Sequence, residues 1–322
     1  MIEYDDTCNI LAPITITPAI ITTMTAAGVA VPEDSTSPWS SANSYAIGDR
    51  VHVVSTHRVY EAAKNMTAGS GAKDPTLPAN QYDAAGNISY WIDAGPTNKF
   101  AMFDGVVSTQ TSVASPLVLT IKPGFFNGLA MFGIDADTIS IVVKDAPGGS
   151  TIYSHSGVLE GSAPADYYEY CFDRFKPQTQ FIATGIDPYY NSEVTLTLAK
   201  GGGQPVKLGM YALGDLRPMG VPLRGASVEP IDYSYVSTDT FGTTTVKKRN
   251  NATGMRISAK MNIEDANSVL DTVKEYLGVP VVVIGSTAEM YEALTVFGLV
   301  SAPQQYDDFE MPTINITVKG LI

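Results

Sequence analysis

Five aromatic side chains in one stretch, Trp39, Tyr45, Tyr60, Tyr90 and Trp91, are the residues whose types and spacing best suit chemistry. A ring face stacks on the apolar C–H face of a sugar, while nearby polar groups take its hydroxyls. Asn43, Asp49 and Asn65 lie close in sequence and could supply those groups. The chemistry would be binding, without bond breaking. In a module of about fifty residues tryptophans also serve as core, so ligand contact and core remain open for each ring.

Catalysis has weaker material. Asp166, Glu169 and Asp173, interleaved with Tyr167, Tyr168 and Tyr170, offer the carboxylate pair a glycosidase uses. Their spacing specifies no cleft, and an acidic, aromatic loop against a neighbouring subunit is the better reading. The three histidines, His52, His57 and His155, are too few and scattered for a triad or a zinc site. His52 and His57 read as surface residues near a hairpin turn. Asp135/Asp137 and Asp307/Asp308 lack the twelve-residue calcium loop, and Gly201-Gly202-Gly203 precedes no helix that could cradle phosphate. Cys8 and Cys171 make no disulfide framework and read as small buried hydrophobes. No catalytic residue, metal or cofactor is expected, and the chain is read as a non-enzyme.

Composition narrows the class. The 322 residues are 44% hydrophobic and 16% charged, which suits a folded chain of two or three domains. The net charge of −13 argues against nucleic acid, since the one basic run is Lys247-Lys248-Arg249. The apolar stretch from Ile10 to Val31 is broken by Pro13 and Pro18, so strands and turns are expected there and no membrane span. The opening Met-Ile-Glu-Tyr-Asp-Asp has no positive region of a secretory signal, so synthesis in the cytoplasm is expected.

The elements that must position these residues are mostly strands. Gly48-Asp49 makes a hairpin corner in a small three-stranded module over 37–96. From 97 to 215, strand signals at Leu117–Ile121, Leu129–Ile134, Thr138–Val143, Thr151–Tyr153, Gln180–Ala183 and Glu193–Leu198 alternate with Pro/Gly turns. That spacing predicts an antiparallel β-sandwich of jelly-roll type. From 216 to 322, strands at Val228–Ser234 and Thr243–Val246 flank the turn Asp239–Gly242, and another follows at Gly254–Met261. A helix begins at the cap Asn262, repeats Ala266, Val269, Leu270, Val273 and Leu277, and stops at Gly278 and Pro280. Buried strands at Val281–Ile284, Thr295–Val300 and Ile314–Val318 complete an α+β layer with one covering helix. Residues 1–36 form an N-terminal arm expected to dock on that last domain. The fold class is mainly β and multidomain.

Two resemblances add to this. Trp39, Tyr45, Gly48-Asp49, Val51 and Tyr60 follow the order of the chitin-binding type 3 family, a compact carbohydrate-binding module, although Tyr90-Trp91-Ile92 departs from that family's closing segment. The resemblance implies glycan contact through Trp39, Tyr45, Tyr60 and Trp91. Tyr211–Leu216, Arg224–Ser227, Thr97–Asp104, Val107–Thr111 and Tyr291–Gly298 are similar to tail proteins of tailed bacteriophages. In those proteins a chitin-binding-like module precedes a β-sandwich and an α+β domain. This second resemblance implies a structural subunit of the virion tail tip or baseplate. Its partners would be other tail proteins, further copies in a ring, and host-surface polysaccharide. A free-standing carbohydrate-binding protein and a polysaccharide-degrading enzyme are the alternatives.

Overall fold

The first strand, Cys8–Pro13, lies in the middle of the largest sheet. The computed structural model describes residues 7–71, 73–159, 166–172, 177–249, 251–288, 291–306 and 310–321. In this strand Cys8 and Ile10 face one side and Leu11 the other, all three fully buried, as a near-continuous apolar run requires when both faces are covered. One edge pairs antiparallel with the long strand Met210–Pro222, from Cys8 opposite Gly220 to Pro13 opposite Gly214. The other edge pairs with Val281–Ile284.

The sheet expected in the last third closes on itself. Met210–Pro222 pairs with Cys8–Pro13, then Val281–Ile284, Thr295–Ser301, Thr313–Gly320 and Asn251–Lys260 follow. The last of these returns to Met210–Pro222 through Val221–Lys260 and Pro222–Ala259. The result is a six-stranded antiparallel barrel. Ile10, Met219, Ile257, Val283, Val296 and Ile316 fill it. The helix Ile263–Glu275 adds Ala266, Val269 and Val273 to that core. Asn262 stands at its N-cap without a side-chain cap bond, and Leu277 is exposed. Closure depends on close backbone approach. Gly220 has φ +121°, and a Cβ there would lie 2.5 Å from the Lys260 carbonyl oxygen, so only glycine fits.

The middle of the chain is a sandwich. One sheet has six strands, in the order Thr151–Val158, Thr138–Lys144, Glu193–Ala199, Leu117–Ile121, Ile21–Ala26 and Val29–Ala30. Glu193–Ala199 alternates as expected, with Val194, Leu196 and Leu198 inward, while the Thr195 and Thr120 hydroxyls meet outside at 3.3 Å. The inward residues meet Leu129, Met131, Phe181, Tyr211 and Leu213 of the facing layer. That layer is the beginning of the long strand with its neighbours Gly128–Phe132 and Gln180–Ala183. Sandwich and barrel therefore share one sheet, and the boundary expected between 215 and 216 falls inside a single strand. A third cluster, with Leu11, Phe132, Met210, Val282 and Phe297, fills the angle between them.

Ser227–Asp232 does not pair with Thr244–Lys247 as the turn signal suggested. It pairs with Asn251–Lys260, and the hairpin inside it joins Tyr235–Thr238 to Thr244–Lys247. Cys8 and Cys171 are not joined by a disulfide, and Cys171 is exposed, contrary to the expectation of burial. No helix among the described residues is long and apolar enough to cross a membrane.

Candidate functional site

The aromatic module is a four-stranded sheet. Arg50–Val53, Arg58–Ala62 and Trp91–Pro96 are the three expected strands, and the two residues Ser37–Pro38 add a fourth, parallel one. Three of the four proposed sugar-contacting rings form its core. Tyr45, Tyr60 and Trp91 are buried together with Val51, Ala62 and Met66. Trp91 is 1% exposed, meets Tyr45 edge-on at 5.3 Å, and donates from Nε1 to the Lys73 carbonyl at 2.6 Å. The Tyr45 hydroxyl donates to the Ser40 carbonyl at 2.9 Å and accepts from the Ser40 N–H at 2.8 Å. So small a module has few large side chains with which to fill itself. Trp39 is half-buried against this core, and its Nε1 is buried without a hydrogen-bond partner among the described residues.

Two of the three polar groups proposed beside the rings, Asp49 and Asn65, serve turns. Asp49 Oδ2 accepts the Ala46 N–H at 2.7 Å, and Asn65 Oδ1 accepts the Ile47 N–H at 3.0 Å. Tyr90, like Trp39, is partly buried against this core, with Lys64 Nζ at 5.2 Å and Lys73 Nζ at 5.6 Å from its centroid.

The module is rooted on the sandwich by Glu33 and by His57, which is partly buried where a surface residue was expected. Glu33 Oε1 accepts from His57 Nδ1 at 2.7 Å and from the Thr97 hydroxyl at 2.9 Å. The His57 ring stacks on Phe100 at 3.7 Å. Burial pushes the Asp34 carboxyl up, but N–H donors from Thr36 and Asn98 outweigh it and hold its pKa below the ordinary value. His52 is buried, with Nδ1 2.9 Å from the Thr36 carbonyl oxygen, so the expectation of a surface histidine is corrected. An open groove of about 600 Å³ runs along this seam between His57, Lys99 and the strand Ile21–Ala26.

Of the carboxylate cluster, the Glu169 side chain and Asp173 lie outside the described residues, as do Asp307 and Asp308. The helix Tyr167–Phe172 presents Tyr167, Tyr168 and Phe172 to solvent. Asp135 pairs with Lys200, and Asp137 accepts the Gly201 N–H at 2.8 Å. Among the described residues no three His, Cys, Asp or Glu side chains gather as a metal site.

An open aromatic surface lies elsewhere, on two sandwich loops. Phe125 is 61% exposed and Tyr190 77%, their rings edge-to-face at 5.5 Å, with Tyr189 exposed beside Tyr190 in the chain. The loops are braced. Ser192 Oγ donates to the Gly124 carbonyl at 2.6 Å, the Ile186 N–H donates to the Asn127 carbonyl at 3.2 Å, and Phe126 anchors in the core. Exposed Lys122, Asp187 and Asn191 occupy the same loops. Rigid rings open to solvent with polar neighbours are what a sugar platform needs. The signal was legible as two aromatic doublets, Phe125-Phe126 and Tyr189-Tyr190, directly after the turn pairs Pro123-Gly124 and Asp187-Pro188.

No family model matches the chain, and no curated protein matches it. Among solved structures, chitosan-binding module 1 of a chitosanase/glucanase from Paenibacillus sp. IK-5 is similar at 13% identity, over 35% of this chain and 81% of that one, with a TM-score of 0.24. A selenomethionine-labelled mutant of the same module is similar at 12% identity, over 36% and 82%, with a TM-score of 0.24. Likeness at that score carries no argument about fold or ligand.

Proposed function

We propose that this chain is a non-catalytic structural subunit that contacts carbohydrate, of the kind built into the tail tip or baseplate of a tailed bacteriophage. The observation that carries the carbohydrate half is the braced, exposed pair Phe125 and Tyr190. The surface assigned to glycan therefore moves from the rings of the small module to the sandwich loops. The virion half, with assembly of the tail in the host cytoplasm, is supported by the runs that are similar to phage tail proteins. The reading assigns binding without turnover. A glycosidase needs two carboxyl groups across a scissile bond, and the two loops carry one carboxylate, Asp187.

A free-standing binding protein would have no need of an apolar surface left open. The solvent-exposed hairpin at 235–247 favours the assembled subunit.

The test is binding of the full chain to host-envelope polysaccharide, with chitosan as a second probe. Phe125→Ala with Tyr190→Ala is expected to weaken binding at least about tenfold, since two stacking faces are lost. The thermal midpoint should stay put, because both rings are exposed. Undiminished binding by the double variant would sink the platform, and no binding by the parent chain would sink the carbohydrate reading altogether.

A further inference from the structure

The hairpin arm Tyr235–Thr238 and Thr244–Lys247 is exposed at every residue and pairs only with itself among the described strands. Its register sets Val236 opposite Val246 and Thr238 opposite Thr244, so four β-branched side chains share one face. Val236 is 59% exposed and Val246 63%, and Phe241 at the tip is 93% exposed. The tip is well formed: Asp239 Oδ1 accepts the N–H groups of Phe241 at 2.9 Å and Thr243 at 2.8 Å. An isolated two-stranded hairpin is marginal in water, and exposed strand edges with apolar side chains are a template for another chain. The neighbouring edge strand Ser227–Asp232 carries Pro230, which blunts it. The arm has no such guard.

Charge indicates what covers it. Lys247, Lys248 and Arg249 stand together at the base of the arm, in a chain whose formal net charge is −13. A basic, apolar arm fits an acidic surface, and the body of this chain is one. The same body exposes the aromatic side chains Tyr167, Tyr168 and Phe172 immediately after Asp166. We propose that the arm docks on a second copy of this chain, its Val236–Val246 face and Phe241 against the exposed rings of Tyr167, Tyr168 and Phe172. Each copy uses one surface to give and a different one to receive, so the contact repeats head to tail and can close a ring. The inference rests on the assembly half of the proposed function.

The test is the mass of the full chain by light scattering and sedimentation over a range of concentrations. Val236→Thr, Phe241→Ser and Val246→Thr together are expected to raise the dissociation constant of the assembly at least about tenfold. Tyr167→Ser with Tyr168→Ser should do the same. Lys247→Glu with Lys248→Glu, which touches no apolar contact, should weaken assembly in low salt most. At concentrations low enough to dissociate the parent, thermal midpoints are expected to be unchanged in all three. Variants that assemble like the parent would overturn the arm as the contact while leaving assembly intact. A parent chain that is monomeric at every concentration would overturn both, and leave the arm to a foreign partner.

Discussion

Removal of residues 1–13 is expected to leave a chain that does not fold beyond its small aromatic module. The segment includes a barrel strand hydrogen-bonded on both edges, to Met210–Pro222 and to Val281–Ile284. Cys8, Ile10 and Leu11 are fully buried, each worth about 2 kcal/mol in apolar burial. Two rows of main-chain donors and acceptors would also lose their partners inside the molecule, at about 1–3 kcal/mol for each one left buried. That total approaches or exceeds the roughly 5–15 kcal/mol by which a domain is stable. Because the barrel and sandwich share the long strand, the damage should reach both. The check is near-ultraviolet circular dichroism with a hydrophobic dye: lost tertiary signal and strong dye binding are expected. A soluble, cooperatively melting truncated chain would show the strand to be dispensable.

Trp91→Ala should unfold the aromatic module and little else. The substitution leaves a large cavity in a core of only a few side chains, costing about 3–5 kcal/mol, and orphans the Lys73 carbonyl that Nε1 now satisfies. A module this small has few kilocalories in reserve. Both tryptophans of the chain, Trp39 and Trp91, belong to it, so in the variant Trp39 is a sole reporter. Its emission is expected to shift to the red at room temperature while the barrel and sandwich melt as in the parent. Unshifted emission would contradict the assignment of Trp91 to the core. The same logic applies to Tyr45→Ala. Loss of glycan binding in that variant would follow from unfolding, because the ring is buried and its hydroxyl ties down Ser40. Tyr45→Phe, which keeps the ring, separates the two causes.

Most strands were legible because alternation reports one buried face, as at Glu193–Ala199. The helix Ile263–Glu275 was legible from its apolar spacing and from Gly278, which has φ +77° just past its end. Closure of the barrel was not, since periodicity says which face is buried and nothing about which strand lies beside which. Cys8–Pro13 pairs across most of the chain with Met210–Pro222 and Val281–Ile284, and no local pattern encodes such partners. The pairing of Ser227–Asp232 was misplaced for the same reason: a good turn at Asp239–Gly242 identified a hairpin but not the outer strand's partner. At the candidate site the aromatic residues stood out, while ligand contact and core stayed open for each ring. Trp91 and Tyr60 look the same in sequence whether a ring fills a core or faces a ligand, and only the count of other core residues decides. Phe125 and Tyr190 were passed over because each sits in a turn segment, where periodicity gives no signal.

The position of Cys8–Pro13 also sets a timetable. This strand is made long before its two partners, which arrive only when synthesis has passed residue 222 and then residue 284. Until then Ile10 and Leu11 have no barrel to enter, while the aromatic module, whose strand pairings and core lie within 37–96, can already close. Pairing over such separations is slow to nucleate, and the waiting strand is open to misassociation. The nascent chain must keep Cys8–Pro13 unengaged over those separations, and the barrel closes only once Thr313–Gly320 has also been made.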